Sequence, residues 1–564
     1  MNRCSALVLL AFVLSCPVLR ADDAVQPEMQ KDVVLRALVD ELTRSQDGLK
    51  LEGFEKPYYI AFAVTDTARA GVSAVLGAVT GRSESRGRSP ATDVRVGSYQ
   101  LDNTNFSGGG GFGFGLGGNM PDADMPIEDD YTAIRQAIWW MADRDYKNVV
   151  EELAQKKALM ESKLIVDKPD DLIRTAPNIY FEPRQELKLD LQPLEELALA
   201  VSVVFKDFPA IQSSSAAVAT WATNKYLVNT EGTRQRTGLR RVLVTVNATV
   251  QADDGMKLGD SMNIYLGGWD QLPPREELLK GCRELAERLI ALKNAPVLTS
   301  YTGPVLFDAE AATALFARQY GGNFGGGQRP VGSRSSPDDF ANKLHKRILP
   351  RFLNVVDDPT QTTIGDTPVL GHFVCDDEGV RAERVPLVEA GRLKALLMSR
   401  NPSKEFQKSN GHGRGGFGSS RGSLGCLIVS AEPAATAEEL KQELLEAVSD
   451  EGLEFGLRIA AFGTVCEGGG RFDSAGSTNP LAIYKVFPDG REELVRGVEI
   501  ARMDLKSFKR ILAAGDTPFV LNSPANDGQT VAAPALLFEE LDLAKIDRDF
   551  DKPPLLPTPL AREK

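Results

Sequence analysis

The chain has 564 residues, 42% of them hydrophobic and 25% charged, enough apolar content for a core and enough charge for a solvated surface, which excludes wholesale disorder. Length alone fits anything from two large domains to about four of roughly 150 residues. Asp and Glu total 78 against 65 Lys and Arg, and the net charge of −13 leaves no global positive field for a nucleic-acid backbone, so no nucleic-acid partner is expected.

Met1-Asn2-Arg3, the apolar run Ser5 to Ser15, and Leu19-Arg20-Ala21 before Asp22 read as a signal peptide over residues 1–21, cleaved near Ala21. Its apolar core is about a dozen residues, short of the roughly 20 needed to span hydrocarbon. Val13-Leu14-Ser15-Cys16 offers an alternative, a lipoprotein-type leader anchored at Cys16. Either way the expected location is periplasmic or secreted, and no later stretch is apolar enough for a transmembrane span. With Cys4 and Cys16 in the leader, Cys282, Cys375, Cys426 and Cys466 remain. An oxidising compartment permits one or two disulfides among them, and none forms a CxxC zinc knuckle.

A first block, residues 30–300, opens with a helix over Lys31 to Ser45, where Val34, Leu35, Leu38, Val39 and Leu42 recur at three and four. Strands are expected at Tyr58 to Val64 and Val94 to Tyr99, then a glycine-rich loop from Phe106 to Asp130 containing Gly108 to Gly118, Asp122 and Asp124. A long helix follows, Tyr131 to Leu164, with Trp139 and Trp140 expected in the core. Ala216 to Trp221, Tyr226 to Val228 and Arg241 to Thr249 read as a strand meander, closed by a helix from Arg275 to Lys293. The second block, residues 301–545, is dominated by short strands: Pro368 to Val374, Arg384 to Val388, Arg392 to Met398, Leu424 to Val429, Arg458 to Thr464, Leu481 to Phe487 and Gln529 to Phe538. Helices are expected at Asp308 to Tyr320, Ala437 to Glu451 and Leu505 to Ala514, and residues 546–564 form a proline-rich tail. The fold class is α+β: a mixed N-terminal domain followed by a β-rich, mostly antiparallel C-terminal domain.

Tyr301 to Phe316 (YTGPVLFDAEAATALF), Asp357-Asp358-Pro359-Thr360, Asp376-Asp377-Glu378-Gly379, Leu387 to Met398 with Ser399-Arg400, Ser409 to Arg414, Val486 to Gly497 and Ala525 to Leu541 together resemble the TldD/PmbA family. Asp93 to Gly97 and Leu227 to Thr233 look like the same family's N-terminal domain. The resemblance implies the α+β arrangement above. It also implies an activity, because TldD-type members resemble zinc peptidases that act on unfolded peptides together with a PmbA-type (TldE) partner, the metal being held by HExxxH and a later cysteine.

At those positions the chain reads Ala317, Arg318 and Gly322, with Pro524 at the cysteine position. None supplies the imidazole nitrogen, thiolate or carboxylate that zinc or a general base requires. No metal and no zinc cofactor are therefore expected, and a catalytic role is doubtful. The reading is a non-catalytic peptide-binding or partner subunit in proteolysis, a homo-oligomer or a heteromer with a TldD-type zinc subunit. Asp376, Asp377, Glu378, Asn410, His412, Arg414, Gly528 and Gln529 are its peptide-lining candidates. The alternatives are a non-enzymatic cell-envelope scaffold and a hydrolase with a non-canonical site around Asp376 to Glu378, His372 and His412. On a strand His372 and Cys375 would point to opposite faces. His412 reads as a solvated loop residue or a peptide contact, His345 as an exposed helix residue, and the pairs Asp357-Asp358 and Asp376-Asp377 as turn caps or oxygen ligands.

Overall fold

The computed structural model describes residues 21–107, 125–333, 340–418, 421–465, 479–501, 503–547, 550–554 and 556–561. Residues 1–20 of the expected leader, the run Gly108 to Gly118, Asp122, Asp124 and Cys466 lie outside them. Its elements are, in chain order, α1 (Ala21–Lys31), α2 (Val33–Gly48), β1 (Tyr59–Val75), β2 (Ala78–Arg95), α3 (Tyr131–Ser162), β3 (Ile179–Phe181), α4 (Gln192–Val203), β4 (Ser213–Asn229), β5 (Arg234–Gln251), β6 (Lys257–Leu266) and α5 (Arg275–Asn294). Then follow β7 (Ser300–Phe307), α6 (Ala309–Tyr320), β8 (Leu353–Asp357), β9 (Thr363–Ile364), β10 (Thr367–Pro368), β11 (Val385–Glu389), β12 (Arg392–Leu393), β13 (Cys426–Ala431) and α7 (Ala437–Asp450). The chain closes with β14 (Gly456–Val465), β15 (Asn479–Val486), β16 (Glu492–Val495), β17 (Val498–Ile500), β18 (Ile511–Ala514), β19 (Phe519–Ser523), β20 (Gln529–Ala533) and β21 (Leu536–Lys545).

The N-terminal part is a mostly antiparallel sheet, with β3 parallel to β5, and its described helices lie on one face. In β1, β4 and β5 the even-numbered residues are mostly apolar, and the registers Phe62↔Val228 and Val218↔Val244 stack them into one buried layer. Helices α2 and α3 cover that layer at the Phe62 end, α4 and α5 at the Val218 end. The helices are cut to fit. Asp32 caps α2 by accepting from Val34 N and Leu35 N at 3.1 and 3.2 Å, which aims Val34, Leu35, Leu38 and Leu42 at the sheet. Each such fully buried side chain contributes roughly 1.5–3 kcal/mol. The odd-numbered face is built from Thr65, Thr67, Arg69, Gly71, Ala219, Trp221, Leu243 and their neighbours, and among the described residues no helix covers it.

The C-terminal part continues this sheet. β14 pairs with β6, and β7, β21 and β17 follow, so a 13-stranded sheet runs through the chain. A second, six-stranded sheet has the order β12-β11-β8-β13-β20-β19. Helix α6 fills the space between the two, with Phe316, Tyr320, Phe324, Phe340 and Phe508 in mutual aromatic contact around it. The chain packs tightly on this second sheet where Gly371 stands, since a Cβ there would come within 1.9 Å of the Gly425 carbonyl oxygen.

The α+β class and mostly antiparallel β-rich C-terminal part agree with expectation. Several elements differ. The strands of the meander are longer, because Thr220, Thr223 and Asn224 continue the period of two without breaking it. Pro368 to Val374 leaves the sheet after Pro368, since Leu370 N and Gly371 N are taken by the Asn522 and Thr530 side chains. Arg392 to Met398 leaves after Leu393, with Met398 N bonded to Asn410 Oδ1 at 2.7 Å. Leu505 to Ala514 is a short 3-10 turn running into β18, because β21 offers the main-chain bonds a helix would otherwise make. Trp140 is 55% exposed, not core. His345 is exposed as expected but sits in a turn at φ +64° rather than in a helix.

Candidate functional site

Helix α6 is where a zinc helix is expected, and its side chains decide the matter. Ala317 packs against the core, Arg318 is exposed, and Gly322 lies just past the helix with nothing within 4 Å of where a Cβ would stand. The fold therefore leaves room for a ligating side chain at 322 that the chain does not supply. Pro524 follows β19, whose Ser523 is paired with Gln529 of β20, and α6 packs on both strands. Methyl, guanidinium, hydrogen and pyrrolidine groups at these four positions present no lone pair to a dication, so the residues do not fit zinc. Among the described residues no group of three or more His, Cys, Asp or Glu could hold a metal.

The residues that do converge lie at the acidic turn after Cys375. Asp376 is fully buried, its carboxylate accepting from Glu378 N, Val380 N and Gly413 N at 3.0, 2.8 and 2.8 Å. Asp377 pairs with Lys225 at 2.9 Å, lies 3.7 Å from Arg414, and accepts from Gly415 N and Gly416 N. Burial opposes its ionisation, but Arg414 and Lys225 outweigh burial and hold its carboxyl below the ordinary range. Lys225 also pairs with Asp527. Glu378 accepts Arg400 N at 2.6 Å, and burial together with the neighbouring Asp376 carboxylate pushes its carboxyl up to about 8.

Two of the peptide-lining candidates are corrected by this geometry. Asp376 and His412 are 0% exposed and bonded inside the fold, so neither can line a surface. His412 is not a solvated loop residue. Its Nε2 faces Asp357 Oδ1 at 3.1 Å and its Nδ1 faces Asn410 O at 2.9 Å, and among the described residues no hydroxyl or thiol bonds to either nitrogen. Asp357 also accepts from Gly425 N and Cys426 N, and Asp358 caps the turn at Thr360, so that pair serves the backbone. Asn410 spends its amide on Met398 N and Leu396 O, and Gly528 is packed against Leu370 O. Arg414 too is buried, at 8% exposure, donating to Asn526 O at 2.6 Å over the Phe373 ring. Gln529 is half-buried on β20.

His372 and Cys375 diverge as expected: His372 Nδ1 faces Pro359 O at 2.9 Å, while Cys375 Sγ accepts from Asn178. The described cysteines, Cys282, Cys375 and Cys426, are buried and free. Arg400 escaped sequence reasoning. It is 1% exposed and ties together Glu231, Ile173 O and Tyr59 OH from the N-terminal part. Its one sequence signal was its place after the apolar run ending at Met398, within a family-like motif.

Fold and site together define a two-sheet α+β protein that carries no metal donor at 317, 318, 322 or 524, on and beside helix α6. Residues 300–545 match the PmbA/TldA metallopeptidase C-terminal domain. Two curated relatives are each named metalloprotease: one from Archaeoglobus fulgidus, 38% identical over 72 residues, 13% of this chain and 16% of that protein, and one from Methanothermobacter thermautotrophicus, 25% identical over 209 residues, 37% and 44% respectively. The matched segments thus span less than half of either relative's length. The crystal structure of TldE from Thermococcus kodakarensis superposes with a TM-score of 0.58 at 13% identity, covering 90% of this chain and 100% of that one, which shows the shared fold. Residues 300–545 are thus a C-terminal domain of the TldD/PmbA family.

Proposed function

We propose that the chain is an exported, non-catalytic subunit of the TldD/PmbA type, which binds unfolded peptide and acts in proteolysis as a homo-oligomer or beside a TldD-type zinc subunit. The observation that carries this reading is the donor-free set Ala317, Arg318, Gly322 and Pro524 on an otherwise intact α6 scaffold. The leader-like residues 1–21 support export. Among the described residues no helix is long and apolar enough to cross a membrane.

Metal content by plasma mass spectrometry tests the first half. Protein purified without metal-binding tags and offered equimolar zinc is expected to retain far less than stoichiometric metal after desalting, and a tightly held stoichiometric zinc would overturn the non-catalytic reading. Export is checked by cell fractionation with N-terminal sequencing of the product. A terminus near Asp22 in the extracytoplasmic fraction is expected. Uncleaved chain in the cytoplasm would refute it.

A further inference from the structure

Strand β2 stands at one end of the 13-stranded sheet and, among the described residues, pairs only with β1. Thr80 to Gly87 are exposed without a break, so this stretch is open on both faces as well as along its outer edge. No main-chain bond from outside the sheet reaches residues 81–89 among the described residues. Such an edge is a template for another strand.

The regular part of the edge is bounded at both ends. Ser73 faces Gly81 but Ala74 faces Val79, so Thr80 is an extra, bulged residue. At the other end stands Pro90, which has no N–H to give to a neighbouring strand. The window between them runs from Gly81 to Ser89, and its midpoint is Ser85.

The charges of this window are placed about the same point: Glu84 and Arg86 flank Ser85, and Arg82 and Arg88 lie symmetrically beyond them. The outer two are neutralised within the chain. Arg82 holds both oxygens of Glu195 at 2.7 Å, and Arg88 is buried on Asp66 and Asp129 at 2.6 and 2.7 Å. The inner two are exposed and have capacity to spare. Glu84 has no ion pair or side-chain hydrogen bond among the described residues, and Arg86 lies 3.5 Å from an Asp66 oxygen that Arg88 already holds. Two residues apart on one strand, they project from the same face.

We propose that β2 is the docking edge for β2 of a second copy of this chain, the two strands running antiparallel about a two-fold axis through Ser85. Glu84 of each copy then faces Arg86 of the other, the self-complementarity that an isologous contact requires. Charges of one sign would make the edge repel its own copy, and this edge carries both signs at the spacing that matches itself. Bulge, proline and charges share one centre, a symmetry that a second copy needs and an unrelated strand does not. The other face of the window is Gly81, Ser83, Ser85, Gly87 and Ser89, with no bulky side chain to hold the copies apart. The inference deepens the homo-oligomer reading above and rests on it. A strand pair of this length is smaller than the roughly 1,200–2,000 Å² of a standard interface, so a reversible dimer with micromolar Kd is expected.

Sedimentation equilibrium of the purified chain, Glu84→Arg and Arg86→Glu tests this. Either change sets like charges opposite one another twice across the axis, and each is expected to weaken dimerisation at least about tenfold. An equimolar mixture of the two variants is expected to dimerise again, because each offers the charges that the other lacks. A wild-type chain that stays monomeric up to about 100 µM would overturn the inference and leave the zinc-subunit alternative standing. Dimers that both variants retain would overturn the placement on β2 and leave the homo-oligomer reading intact. Variants that are monomeric alone and remain so when mixed would overturn the register about Ser85.

Discussion

Replacing Arg400 by methionine is expected to lower stability by about 3–5 kcal/mol, the cost of breaking a buried ion pair from one side. Arg400 Nη2 lies 2.8 Å from Glu231 Oε2, its Nε and Nη2 reach Ile173 O at 2.9 and 2.8 Å, and its Nη1 reaches Tyr59 OH at 3.1 Å. One side chain from the C-terminal part thus satisfies three separate acceptors of the N-terminal part. Methionine fills much of the volume and none of the polar need. The Glu231 carboxylate would keep only Tyr99 OH at 2.8 Å and a longer contact to Thr175. Arg400→Lys is expected to recover only part of the loss, since a single ammonium cannot reach all three acceptors in one plane. Adding Glu231→Gln to Arg400→Met removes the stranded charge and is expected to return about 1–2 kcal/mol. Urea unfolding followed by circular dichroism reads all four proteins. An Arg400→Met loss below about 1 kcal/mol would show that the pair merely fills space between the two parts.

That Arg400 was missed while α6 was placed correctly shows what the sequence made legible. Helix α6 announces itself by Ala311, Ala312, Leu315 and Phe316 at helical spacing, and its lost chemistry by the residues at 317, 318 and 322, all local facts. The acidic turn was visible as a composition, Asp376 to Gly379. Its interior was not, because burial of Asp376 depends on Gly413 approaching from a segment more than thirty residues away. His412 looked like loop histidine among glycines. The glycines around it are there for close packing: a Cβ on Gly411 would stand 2.1 Å from Arg381 O, and one on Gly413 2.4 Å from Glu378 Oε2. Strand registers, which place Arg69, Trp221 and Arg241 side by side, are long-range by nature, and no periodicity within one strand states them.

The wild-type protein is expected to lose stability as pH rises from about 5 to about 8, and Glu378→Gln to flatten that slope. Asp376 and Glu378 are held together at Gly413, both desolvated, and burial pushes both carboxyls upward while the Asp376 charge raises Glu378 further. Arg400 draws Glu378 the other way without prevailing. In the unfolded chain these acids release their protons in the ordinary range, so between there and about 8 the native state binds more protons than the unfolded one. Stability therefore falls with rising pH across this window, and the contribution is fully present only below it. Glutamine keeps an oxygen for Arg400 N, holds no proton to lose, and removes the repulsion with Asp376. The variant should match the wild type near pH 5 and exceed it near pH 8 by on the order of 2–4 kcal/mol, since each tenfold change in proton affinity is worth about 1.4 kcal/mol. Other raised carboxyls, Asp260 and Glu310 among them, add their own slope, but it is common to both proteins and cancels in the difference. Urea midpoints at the two pH values decide the matter. A Glu378→Gln curve parallel to the wild type's would mean that Glu378 is ionised in the native state and that Arg400 compensates it fully.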